Sequence, residues 1–69
     1  MNSLESYLNE RIVLTCLNEI SYAGTVNKIL MIDDNKGLLL KIDELSGFSV
    51  WCPQNFIKDI LIIPIPKLD

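Results

Sequence analysis

The chain has 69 residues, with six basic and nine acidic side chains, no histidine and a formal charge of −3, and 49% of it is hydrophobic. That composition describes one small domain over residues 1–69 and excludes a disordered tail, a multi-domain enzyme and a strongly basic nucleic-acid module. A domain of this size buries only about 60% of the surface its open chain exposes, so its core is marginal without a staple, a metal or a partner subunit.

The first fifteen residues carry Glu5 and Glu10 and no basic lead into an apolar stretch, so no secretory signal is read there. The strongest apolar run, Ile60 to Pro66, is seven residues long and holds two prolines. A spanning helix needs about 20 apolar residues. The expectation is a soluble, cytoplasmic protein with no membrane partner. In a reducing compartment Cys16 and Cys52, both in apolar segments, read as small buried hydrophobes rather than as a disulfide.

In chain order, residues 2–9 predict a short helix, with Asn2 as cap and Glu5 completing a capping box. Leu4, Tyr7 and Leu8 give it one narrow apolar stripe. From Arg11 the period becomes two: Ile12, Leu14 and Cys16 share one face of a strand, and Val13, Thr15 and Leu17 the other. Asn18-Glu19 is a tight turn, because asparagine tolerates left-handed geometry. A second strand spans Ser21 to Ile32, with Gly24 as the candidate for a sharp bend.

The segment Asp33-Asp34-Asn35-Lys36-Gly37 is the clearest turn, read as a solvated hairpin with its glycine at a positive-φ position. Leu38, Leu40 and Ile42 then alternate with Leu39 and Lys41, and Glu44 to Gly47 makes a further turn. Phe48, Val50 and Cys52 are placed toward the core, with Ser49 and Trp51 opposite, until Pro53 stops the ladder. Pro53-Gln54-Asn55 predicts a single helical turn, and a last strand runs from Ile60 to Ile65. The fold class that follows is small and all-β: a short N-terminal helix, then five strongly bent strands closing a barrel over residues 11–65.

This order, with YLNERIVLTCLNEISYAGTVNKI leading and NFIKDILIIP near the end, resembles the Sm-like family of small barrels, with SH3-like barrels as the broader match. Tyr22, Gly24 and Val26 stand where the family's first motif has an aromatic, a glycine and an apolar residue. The resemblance implies assembly into rings by pairing of the last strand with a neighbouring subunit. RNA-binding members place an Asp and an Asn in the turn after the second strand and an Arg-Gly pair before the last. The first pair maps on Asp33 or Asp34 with Asn35, and the second on Lys58-Asp59, where lysine lacks arginine's planar fork. Asp34, Asn35 and Lys58 are thus the nucleic-acid candidates.

The last strand carries the strongest signal from the residues themselves. Ile60, Leu61, Ile62 and Ile63 are apolar on both faces, and a barrel takes only one face inside. Lys58, Asp59, Pro64, Pro66 and Lys67 look like gatekeepers around a sticky edge. Leu61, Ile63 and Trp51 are therefore the candidate subunit-interface residues of a homo-oligomer. Trp51 has two further readings, as packing and as a stacking platform for a base or small ligand.

Without histidine there is no ordinary Cys-His or Ser-His pairing, and no phosphate-cradling loop or cysteine-histidine metal spacing occurs, so neither enzyme activity nor a cofactor or metal is expected. The six cations are spread without a cluster. The expected function is a non-enzymatic, oligomer-forming Sm-like module associated with RNA. The alternative is a protein-interaction module on an SH3-like barrel with no nucleic-acid role.

Overall fold

The structure, a computed structural model, describes residues 3–43 and 47–64. Its five antiparallel strands form a single sheet: β1 (Arg11–Cys16), β2 (Ser21–Ile32), β3 (Asn35–Ile42), β4 (Ser49–Pro53) and β5 (Ile57–Ile62). Their spatial order is β4-β3-β2-β1-β5. The first four make a meander. The chain then crosses over so that β5 pairs with β1, which leaves β4 and β5 as the two edges. The small all-β class expected from the period-two pattern is the class observed. No helix among the described residues is long and apolar enough to cross a membrane.

The N-terminal segment differs from expectation. In place of a helix over 2–9 there is one 3-10 turn, Leu4–Tyr7, with no side-chain hydrogen bond from Ser3 at its start. Asn2, the expected cap, lies outside the described residues. So short a segment cannot meet the cost of helix nucleation. What fixes it is tertiary: Leu4 is buried, the Asn9 N–H donates to the Val26 carbonyl at 2.9 Å, and the Val26 N–H donates to the Glu10 carbonyl at 3.0 Å.

The core comes from one face of the sheet. Ile12, Leu14 and Cys16 of β1 meet Val26 of β2, Leu38 and Leu40 of β3, Cys52 of β4 and Leu4. In a flat sheet β1 and β4, three strand spacings apart, would lie about 14 Å from each other. The Cys16 and Cys52 sulfurs are 3.8 Å apart. The sheet is therefore curled until its inner face closes on itself. Part of the curl is local to β2, where the register with β3 shifts between Val26 and Lys28. Gly24, expected as the bend itself, is instead a point of close approach: a Cβ there would lie 2.1 Å from the Lys41 carbonyl oxygen.

Several turns work differently from their sequence reading. The β2–β3 hairpin turns on Asp33 and Asp34, with φ of 51° and 64°, and the strands re-pair at Ile32–Asn35. Two positive-φ residues in a two-residue loop match the strands' right-handed twist, and aspartate is among the residues that tolerate that geometry. Gly37, expected at the positive-φ position, is buried inside β3. In the β1–β2 turn Glu19 takes the positive φ of 70°, while the Asn18 side-chain oxygen accepts from the Ile20 N–H at 3.1 Å. Residues 44–46 of the next expected turn lie outside the described residues, as do Ile65, Pro66 and Lys67.

Two further corrections concern β4 and β5. Phe48, placed in the core by alternation, is 64% exposed. It precedes β4, at the margin of the sheet rather than inside the strand. The last strand starts at Ile57 rather than Ile60. A register shift between Thr15 and Cys16 skips Lys58, so that Ile57 and Ile60, three positions apart, both pack against the core. The intervening turn is a 3-10 turn, Gln54–Phe56, close to the single turn expected after Pro53.

Candidate functional site

Two surface features bring the expected site residues together in different ways. The first is an open cleft of about 360 Å³ lined by Asp34, Asn35, Lys36, Gln54 and Asn55. Its origin is the β3–β4 register. Gly37 pairs with Pro53, so the residues just before Gly37 lie beside those just after Pro53. The β2–β3 hairpin tip thereby meets the turn between β4 and β5.

Within the cleft the groups are mostly neutral amides. The Asn35 amide nitrogen donates to the Asp33 carbonyl at 3.1 Å, which orients that side chain. Lys36 is held by an ion pair to Glu5 at 2.5 Å. That hydrogen bond from Lys36 is the main reason the Glu5 carboxyl lies below its ordinary value. Both groups are substantially exposed, so the pair orients more than it stabilises.

Asp34 and Asn35 are thus in the cleft, as expected, and Lys36, Gln54 and Asn55 join them. The sequence offered no cue to the last two, because the pairing of positions 37 and 53 is a property of the folded register. Lys58 does not line the cleft. It lies in β5, where its ammonium pairs with Glu19 of the β1–β2 turn.

The second feature is the pair of sheet edges. Among the described residues β4 and β5 are not hydrogen-bonded to each other. The Ile63 N–H donates to the Arg11 carbonyl at 2.8 Å, and pairing alternates along an antiparallel ladder. The backbone groups of Ile60 and Ile62 consequently point away from β1 toward the open edge. The bond from the Ile42 N–H to the Phe48 carbonyl sets the same alternation on β4 and leaves Ser49 and Trp51 directed outward. Each edge thus offers a short row of donors and acceptors.

Side chains at these edges are apolar. Leu61 is 63% exposed and Ile62 is 45% exposed. Leu61 pairs with Val13 on the face opposite the core, while Ile63 is half-buried just beyond the strand. Trp51 is half-buried on the same outer face of β4, opposite Leu39. Its indole N–H donates to the Leu30 carbonyl at 3.1 Å, and its ring occupies the space above Gly37. Of the expected interface residues, Leu61 and Trp51 therefore lie on the outer face at opposite edges of one sheet. Ile62 shares the core-face parity of Ile60 and is nonetheless exposed.

Among the described residues no three His, Cys, Asp or Glu side chains group as metal ligands. No family model, curated protein or solved structure matches the chain.

Proposed function

We propose that this chain is a non-enzymatic, self-assembling small barrel of the Sm-like kind, whose copies join β5 edge to β4 edge and present their clefts to single-stranded RNA. The observation that carries the assembly is the pair of open edges, one of them bearing exposed Leu61 and Ile62. Two different edges on one subunit make a heterologous contact, which closes into a ring when the rotation per subunit divides the circle. Edge pairing would place Trp51 of one copy and Leu61 of the next on the same outer face, and it removes the aggregation hazard of a bare apolar edge.

RNA enters through the cleft. Asn35, Gln54 and Asn55 supply donors and acceptors suited to the edges of unstacked bases, and a symmetric assembly repeats them once per subunit. The second reading, a protein-interaction module, is favoured by charge. The chain carries −3, and the cleft's lysine is paired to Glu5. Phosphate binding draws on several cations on one surface.

Light scattering combined with fluorescence anisotropy of labelled oligo(A) and oligo(U) at low salt tests both halves. The expected result is an oligomer whose RNA binding weakens with salt and falls about tenfold in Asn55→Ala. An oligomer that binds neither RNA but retains a protein partner after nuclease treatment supports the second reading. A monomer overturns the assembly.

A further inference from the structure

We propose that Cys16 and Cys52 form a reversible intrachain disulfide that staples the curled sheet across its interior. The geometry is specific. The two sulfurs lie 3.8 Å apart, although 36 positions separate the residues and two whole strands, β2 and β3, stand between β1 and β4 in the sheet. Both residues are buried, at 3% and 2% exposure, so they face each other in the core. A bond would need the sulfurs to close to about 2 Å. The required movement is available on one side, because among the described residues β4 is an edge strand paired with β3 alone, whereas β1 is paired on both flanks.

The oxidant is a low-molecular-weight disulfide. A thiolate of the pair attacks one of its sulfurs, forming a mixed disulfide and releasing one small thiol. The second cysteine, deprotonated, attacks the protein sulfur of that adduct and expels the second small thiol. The pair is oxidised by two electrons, the small disulfide is reduced to two thiols, and the two protein protons end on those thiols. Reaction requires a transient opening, since burial keeps the oxidant out and pushes the Cys52 thiol up to about 12. Peeling of β4 is the least demanding such opening. The intact core therefore protects the thiols, and the same packing delivers one sulfur to the other once the first has reacted.

The bond would close a long loop, from the end of β1 to β4, and so restrict the unfolded chain strongly. It would also fix the separation of β4 from β1 and its neighbour β5, which carry the two open edges.

The test is oxidation of the whole protein by glutathione disulfide, with and without urea below the unfolding transition, followed by peptide mapping without reductant. Trypsin leaves Cys16 in peptide 12–28 and Cys52 in peptide 42–58. The expected product has lost two hydrogens and joins these two peptides in one chain. Its formation is faster in dilute urea, its near-ultraviolet circular dichroism is that of the reduced protein, and its unfolding constant is lower by roughly a hundredfold until reductant is added. Cys16→Ser and Cys52→Ser should stop at a single glutathione adduct. Persistent adducts on the wild-type chain, disulfides between chains, or an oxidised product that loses native circular dichroism would each overturn the proposal. The wild-type map decides the matter even if neither variant folds.

Discussion

A methyl group added at position 37 would lie 2.5 Å from the Cys52 carbonyl oxygen and 2.7 Å from the Trp51 ring. Those atoms cannot both retreat, since the carbonyl belongs to the backbone of a paired strand and the indole is anchored on Leu30. Gly37→Ala should therefore destabilise the fold by about 1–3 kcal/mol in a urea titration, with a red shift of Trp51 fluorescence as the ring is displaced. The glycine was visible in the sequence but its reason was not. It follows a run of turn-forming residues, and the residue that requires its smallness is fourteen positions further on and arrives only through the β3–β4 register. A second prediction concerns Cys52, whose thiol burial raises from an ordinary 9.0 to about 12. A thiol with a higher pKa folded than unfolded contributes stability that is complete below pH 9 and is lost as pH climbs toward 12. The unfolding free energy of the reduced protein should decline over that alkaline window. Cys52→Ala should be less stable at neutral pH by about 1 kcal/mol yet show a shallower alkaline decline.

At the scale of the element, β1, the first half of β2 and the second half of β3 are legible because each alternates a more buried with a less buried face. The N-terminal turn differs in type from the helix its stripe predicts, since an i, i+3, i+4 stripe over two turns fits a 3-10 turn docked by backbone hydrogen bonds as well as an α-helix. The start of β5 is hidden in the sequence because Lys58 and Asp59 break the alternation, which a register shift absorbs. The exposed apolar face of β5 was legible for a simple reason: four consecutive apolar residues exceed what one inward face can hold. Leu61→Lys should leave the monomer fold intact, because the side chain is 63% exposed and faces away from the core. Far-ultraviolet circular dichroism should therefore stay close to wild type while sedimentation velocity shows loss of assembly, and the thermal midpoint should fall and cease to depend on protein concentration. A variant that loses the native far-ultraviolet spectrum would mean that Leu61 is covered by its own chain.

At the scale of the whole molecule, a 69-residue chain has to reconcile a surplus of apolar residues with a small interior. The curled sheet solves part of this by drawing β1 and β4 together around a cluster of eight buried hydrophobic residues among those described. Part of the remainder is displayed on β5 at Leu61 and Ile62 and part at the end of β2 at Leu30, Met31 and Ile32, and edge-to-edge pairing would bury the share on β5. The cleft could be read only in part, because Asp34 and Asn35 sit in an obvious turn whereas Gln54 and Asn55 reach it through the fold. Native mass spectrometry of the wild-type chain beside Leu61→Lys, across a range of protein concentrations, addresses the assembly most directly. The prediction is one oligomer of fixed stoichiometry for the wild type and a monomer for the variant. A wild-type chain that stays monomeric at every concentration would contradict it.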